Sequence, residues 1–232
     1  MIKIGGQSVI DRGSKALVPL VKEISQNIDA GKKLIMGTGA GTRARHIYDL
    51  GVDLGLPTGV LSELGAGVAV ENARIVGWLL SSHGIPIMTP EELSSRLAFN
   101  LARIGAVIFP GMPPYTYWEQ FPEIGLIPPH RTDTGCFLVA EAFGVAGLLY
   151  VKDEDGLYTD DPKKNPDAEF IPRIGARELI ERNLPDLVVE QPVVHFMLRS
   201  RNVHKLQVIN GLKPGNLTRA LNGEHVGTII ES

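Results

Sequence analysis

The stretch Lys33-Leu-Ile-Met-Gly-Thr-Gly-Ala-Gly-Thr-Arg-Ala-Arg-His46 decides how this chain is read. Leu34-Ile35-Met36 is a short apolar run suited to a buried strand. Glycines follow at alternate positions, Gly37, Gly39 and Gly41, and Thr42 opens a helix. Glycine lets the backbone turn sharply and come close to a ligand. A helix N-terminus leaves amide N–H groups unpaired and carries roughly half a positive charge, so it suits an anion. Arg43 and Arg45 put cations into that first turn, which the helix dipole disfavours unless something negative lies near. The pattern points to an oxyanion site.

Gly39-x-Gly41-x-x-Ala44 also meets the loose dinucleotide fingerprint. That fingerprint wants a second strand ending in an acid about 20 residues on. Pro57-Thr-Gly-Val-Leu-Ser-Glu-Leu-Gly65 stands there instead, with no strand-like run before it. No Gly-Lys-Ser/Thr follows a glycine pair, so a Walker-type phosphate loop is absent.

The 232 residues are 44% hydrophobic and 21% charged, which suits a globular chain with room for one large core or two small domains. A net charge of −3 gives no general attraction to nucleic acid or to an anionic membrane, so anion binding must be local. The single cysteine, Cys136, excludes an internal disulfide and fits the reducing cytoplasm. There is no apolar run near the ~18 residues a membrane span needs, and no signal peptide. Six histidines show no i, i+4 pairing, so no histidine metal site is read from them.

Other segments extend the pattern. Met1-Ile-Lys-Ile is a strand running into Gly5-Gly6, with Lys3 near its end. Leu17, Leu20, Val21, Ile24 and Ile28 keep helical spacing, and Gly31 is placed to stop that helix. The spacing predicts a helix over 66–82 closed by Gly84, a short strand over 85–88, a helix over 90–103 with Pro90 in its first turn, and a buried strand over 106–109. Segment 110–131 breaks the rhythm with six prolines and with Tyr115, Tyr117, Trp118 and Phe121, as a subunit contact or a cavity wall would. Thr132 reads as the N-cap of an apolar helix over 136–143, with Asp133 in its first turn and His130-Arg131 just before it. A strand over 147–151 runs into the acidic loop 152–162, which reads as a solvated turn or as a Mg²⁺–nucleotide loop. Helices are expected over 174–182 and 192–202, and strands over 205–210 and 226–230. Alternating strands and helices imply a parallel sheet with helices on both faces, whose ligands gather beyond the strands' carboxyl ends.

Taken in order, both glycine turns, the Thr132-Asp133-Thr134 helix start and the loop Asp153-x-Asp-Gly-x-Tyr-Thr-x-Asp-Pro162 resemble the amino acid kinase superfamily, uridylate kinases included. The likeness runs over essentially the whole chain. Within that superfamily, residues 4–13, 37–46, 111–115, 127–133, 151–159 and 210–221 resemble the family of molybdenum storage proteins in its beta-type form. The resemblance implies a three-layer αβα sandwich with a mainly parallel sheet. It would be one domain over 1–232, with the anion side in about 1–130 and the nucleotide side in about 131–232.

Carried over by position, Lys3, Lys152 and Asp133 would be the catalytic groups. Gly5, Gly6, Gly39, Ala40, Gly41 and Arg45 would line the phosphates. Asp155, Gly156, Tyr158, Asp161 and Pro162 would hold the nucleotide end. The implied ligands are ATP and Mg²⁺. The implied cargo is molybdate or tungstate stored as polynuclear oxide clusters, loaded with ATP hydrolysis. The implied partner is an alpha-type paralogous subunit in a hetero-hexamer, with a homo-hexamer as the other arrangement and a uridylate kinase-type phosphotransferase as the other function. Thr116, Tyr117, Trp118 and Asn100 stand where the alpha-type pattern has histidines, so no metal-ligating residue is carried over. The chain begins at its first strand without the family's N-terminal extension, which implies weaker clamping between subunits.

Overall fold

The structure, a computed structural model, describes residues 1–112, 126–185 and 187–232, so most of the proline- and aromatic-rich segment, with Thr116, lies outside the described residues. In chain order the elements are β1 (Ile2–Ile4), α1 (Ser14–Asp29), β2 (Leu34–Thr38), α2 (Thr42–Asp53), α3 (Thr58–Leu79), α4 (Pro90–Arg103) and β3 (Ala106–Pro110). There follow α5 (Thr132–Phe143), β4 (Leu148–Lys152), β5 (Leu157–Tyr158), β6 (Phe170–Ile171), β7 (Arg173–Gly175), α6 (Ala176–Arg182), α7 (Gln191–Met197), β8 (Lys205–Asn210), α8 (Asn216–Leu221) and β9 (Thr228–Glu231).

Seven strands form one sheet in the order β3-β2-β1-β4-β8-β9-β7. Every neighbouring pair is parallel except β8–β9. Side chains alternate across a strand, and that alternation sorts the core into two layers. Ile2, Ile4, Leu34, Met36, Leu149 and Val151 face α1, α8 and the end of α3. Met1, Ile35, Leu148 and Tyr150 face α5, α6 and α7. By the same alternation Lys3 and Lys152 come out on the α5 face. The arrangement is the expected αβα sandwich with a mainly parallel sheet.

Local signals explain most boundaries. Thr89 and Glu92 form a reciprocal capping box at the start of α4, with Pro90 at its first position. Gly31, at φ 83, follows the end of α1. Several expectations need correction. Residues 85–88 form no full strand but one isolated bridge, Ile87 to Ile108, in which Met88 N–H donates to Ile108 O and Ile108 N–H to Pro86 O on the outer edge of β3. The helix expected over 66–82 runs as α3 from Thr58 to Leu79 and covers the stretch where the dinucleotide fingerprint would want its second strand. Residues 173–175 form an edge strand before α6, and α7 stops at Met197. Thr132 is the first helical residue of α5 and Arg131 stands at the N-cap, with no side-chain cap of its own.

Candidate functional site

β1 and β4 are hydrogen-bonded neighbours, with Lys3 opposite Tyr150. Parallel pairing brings their carboxyl ends to one edge, and each ends in a turn. Gly5 N–H donates to Val151 O at 3.0 Å, and Gly39 N–H, beyond β2, donates to Ile4 O at 2.8 Å. These two glycines therefore spend their amides on extending the sheet. What they contribute is the lack of a side chain.

The two turns touch backbone to backbone. A Cβ on Gly6 would stand 2.3 Å from Gly41 N, and one on Gly39 would stand 2.4 Å from Gly6 N and 3.2 Å from Lys3 Nζ. Gly41 itself, at φ 81, occupies the left-handed region that only glycine enters cheaply.

Above this edge lies a cleft of about 540 Å³, within the range of small-molecule sites. Lys3, Lys152 and Asp133 line it, as do Gly5, Gly6, Gly39, Ala40, Gly41 and Arg45, and on its far side Tyr158, Asp161 and Pro162. Twelve of the fourteen residues expected at the site thus share one cleft. Asp155 and Gly156 are not among its walls. Asp155 turns away to Lys213 at 2.7 Å and accepts from Asn210 Nδ2 at 3.0 Å. Gly156 packs against Thr228, where an added Cβ would stand 2.2 Å from its hydroxyl.

Asp133 sits at the centre. Lys3 Nζ lies 2.5 Å from its Oδ1 and Lys152 Nζ donates to its Oδ2 at 2.8 Å. Lys3 and Asp133 are each only 4% exposed, so these are desolvated charges. Burial raises the carboxyl of Asp133, but Lys152 and Lys3 outweigh burial and hold it well below the usual carboxylate range. Burial also works against Lys3, where Asp133 wins and the ammonium is stabilised. At Lys152, burial and the like charge of Lys3 win over Asp133, and the proton is held less tightly than on an exposed lysine.

The oxyanion argument for the start of α2 changes in detail. Asp11 Oδ2 accepts from Thr42 N at 2.6 Å, so a carboxylate of the chain already sits at that helix end. Arg43 leaves the site to donate to Glu71 at 2.9 Å and to Asn72, while Arg45 stays at the cleft. At α5 the same thing happens through Glu190, whose carboxylate accepts from the N–H groups of Arg131, Asp133 and Thr134. Glu190 was not expected at the site. The one hint in the sequence was His130-Arg131 before a helix start, which demanded a nearby negative charge without saying whose.

The described residues hold no cluster of three or more His, Cys, Asp or Glu fit to bind a metal. Among the acids lining the cleft, Asp153 pairs with Arg12 and Lys163, Glu154 with Lys163 and Asp161 with Lys164, while Asp160 accepts from the neutral donors Asp161 N–H and Asn165 Nδ2. They do not form a Mg²⁺ site by themselves. No described helix is long and apolar enough to cross a membrane.

The amino acid kinase family model matches residues 1–195. This chain belongs to the amino acid kinase family. It is 55% identical over 232 residues to the molybdenum storage protein subunit beta of Azotobacter vinelandii, covering 99% of this chain and 84% of that one. It is 31% identical to a uridylate kinase of Thermofilum pendens, covering 100% of this chain and 97% of that one. In fold it is similar to the uridylate kinase structure from Archaeoglobus fulgidus, with a TM-score of 0.73, 21% identity and 99% of each chain covered.

Proposed function

We propose that this chain is the beta-type subunit of a molybdenum store, and that it binds and hydrolyses ATP as molybdate or tungstate is loaded into an oligomeric cage. The observation that carries the reading is 55% identity, over nearly the whole chain, to a protein named for molybdenum storage. The uridylate kinases of Thermofilum pendens and Metallosphaera sedula match at 31% and 30% identity.

The cleft supports an ATP role on physical grounds. Phosphoryl transfer needs placement and charge neutralisation more than a covalent nucleophile. Lys3 and Lys152 are two such cations, fixed before any ligand arrives because Asp133 holds both. The turns at Gly6 and Gly39 close on one another backbone to backbone beside Lys3, and both line the cleft. Ala40, Gly41 and Arg45 continue that wall, and Tyr158, Asp161 and Pro162 face the nucleotide end. Asp153, Glu154 and Asp161 are engaged with lysines and an arginine, so a divalent ion would be held chiefly by phosphate oxygens and water.

The cargo follows a separate logic. Oxomolybdates are anions, so arginines and backbone N–H groups suit them better than metal-ligating side chains. Condensing many of them costs repulsion, which a closed shell with a high local concentration offsets. Such a shell requires further subunits, an alpha-type paralogue in a hetero-hexamer or more copies of this chain. The reading takes residues 1–232 as one domain in the reducing cytoplasm.

Elemental analysis of protein purified from molybdate- or tungstate-fed cells tests the store, and less metal than protein chains would refute it. ADP release tells the two functions apart. Release that depends on molybdate favours the store, and release that depends on UMP favours the phosphotransferase.

A further inference from the structure

Glu190 lies just before α7, 57 residues from Asp133, yet the two residues are locked together. Its carboxylate accepts four hydrogen bonds from the start of α5: Arg131 N–H at 2.9 Å, Asp133 N–H at 3.1 Å, Thr134 N–H at 3.1 Å and the Thr134 hydroxyl at 2.6 Å. In return Glu190 N–H donates to Asp133 Oδ2 at 3.3 Å. That oxygen is the one that also receives Lys152. The side chain of Glu190 is 9% exposed and lines the cleft.

An ordinary N-cap is a neighbour in sequence that accepts one or two of the free N–H groups. Here a distant carboxylate does that work at the residue on which both lysines converge. A second consequence concerns charge. Lys3 and Lys152 bring two positive charges and Asp133 returns one negative charge. Glu190 supplies the second, which balances the buried lysines, and it also faces the half-exposed guanidinium of Arg131 at 3.8 Å.

Resting on the reading of the cleft as an ATP site, we propose that Glu190 is a positioning residue: it fixes the first turn of α5 so that Asp133 presents Lys3 and Lys152 to the phosphates, and it completes their charge balance. Misplacing reacting groups by about 1 Å can cost ~100-fold in rate. The groups facing the two ammoniums are Asp133 and Cys136 from α5, Glu190 from the α7 entry and the other lysine from the adjacent strand, with the Tyr150 ring 6.0 Å from Lys152 Nζ. Glu190 is one of the two carboxylates that favour protons on both lysines. Removing its charge makes those protons easier to lose.

The test uses the full chain in its native assembly and measures steady-state ADP release against pH, with ATP affinity measured separately. In Glu190→Gln the expected result is a loss of kcat of at least ~10-fold with KM for ATP changed less than ~3-fold, and an alkaline limb moved to lower pH. Glu190→Asp keeps the charge and restores the wild-type pH profile with part of kcat. Thr134→Val removes one of the four donors but no charge, so kcat falls a few-fold and the profile stays put; this variant carries the test should Glu190→Gln not fold. Wild-type kcat and pH profile in every folded variant overturn the proposal. If the wild-type protein releases no ADP under any condition and binds no ATP, the ATP reading itself fails, which is a separate and recognisable outcome.

Discussion

Lys3 and Lys152 stand on adjacent parallel strands and hold opposite oxygens of one carboxylate, Asp133, at 2.5 and 2.8 Å. Two like charges are thereby kept close together in a place almost closed to water. Neither would stay there without the acid between them, because a buried unpaired ammonium costs several kcal/mol. The same acid that makes the arrangement stable also keeps the ammoniums where an anion would meet them.

Removing that acid should unfold the site before it alters any chemistry. Asp133→Ala is expected to cost about 3–5 kcal/mol, the usual penalty for breaking one partner of a buried pair. Chemical denaturation would measure it. A loss below ~1 kcal/mol would mean that the two lysines find water or other partners easily.

The glycine contacts predict opposite signs at two positions. Gly6→Ala would push a Cβ to 2.3 Å from Gly41 N and 2.7 Å from Gly41 Cα, both backbone, so the two turns must part. Overpacking of this kind costs about 1–3 kcal/mol, and ATP binding should fall with it. Gly67 lies inside α3 with nothing within 4 Å of an added Cβ, so Gly67→Ala should stabilise by about 0.5–1 kcal/mol. Thermal melts of the two variants should move in opposite directions.

The lysines should respond differently to alkali. Lys152 is depressed by burial and by Lys3, so it loses its proton at a lower pH than an exposed lysine. ATP-dependent turnover should therefore decline on the alkaline side before the ordinary lysine range. Between the lowered folded value and the unfolded one the unfolded chain binds more protons, so the contribution of Lys152 to stability rises with pH there. Lys3 is raised, and its contribution is complete below the ordinary lysine value and is lost as pH passes through the folded value. Asp133 is depressed, and its contribution is complete above the ordinary carboxylate value and is lost as pH falls from there through the low folded value. Denaturation midpoints measured from acid to alkali would test all three directions.

A chain of ion pairs lines the cleft. Asp153, after β4, pairs with Arg12 from the turn after β1 and with Lys163 at 3.0 Å from the loop beyond β5. Arg12 and Lys163 are about half exposed, so each bond is modest, worth up to ~1 kcal/mol. Arg12→Ala should weaken ATP binding by up to ~5-fold, chiefly through faster release. Added salt should shrink the difference between variant and wild type, as stopped-flow dissociation would show.

Much of this molecule was legible in the order of its residues. Leu34-Ile35-Met36 and Ala106-Val107-Ile108-Phe109 announce buried strands because their apolar runs have nowhere else to go. Gly39 and Gly41 announce a tight turn because the backbone there tolerates no side chain. Strand alternation even places Lys3 on the same face as Lys152 once the two strands are paired. These are local properties, each carried by a few consecutive residues.

What only the tertiary structure decided are the partners chosen across long separations. Glu190 and Asp11 fill the two helix ends that seemed open to an outside oxyanion, from 57 and 31 residues away. Asp155 leaves the cleft for Lys213, 58 residues on, although its neighbours Asp153 and Glu154 stay. A carboxylate has no periodicity to betray its destination, and several cations compete for it at similar energy. Which one wins depends on where the packed sheet and helices leave each backbone, and so on the fold as a whole.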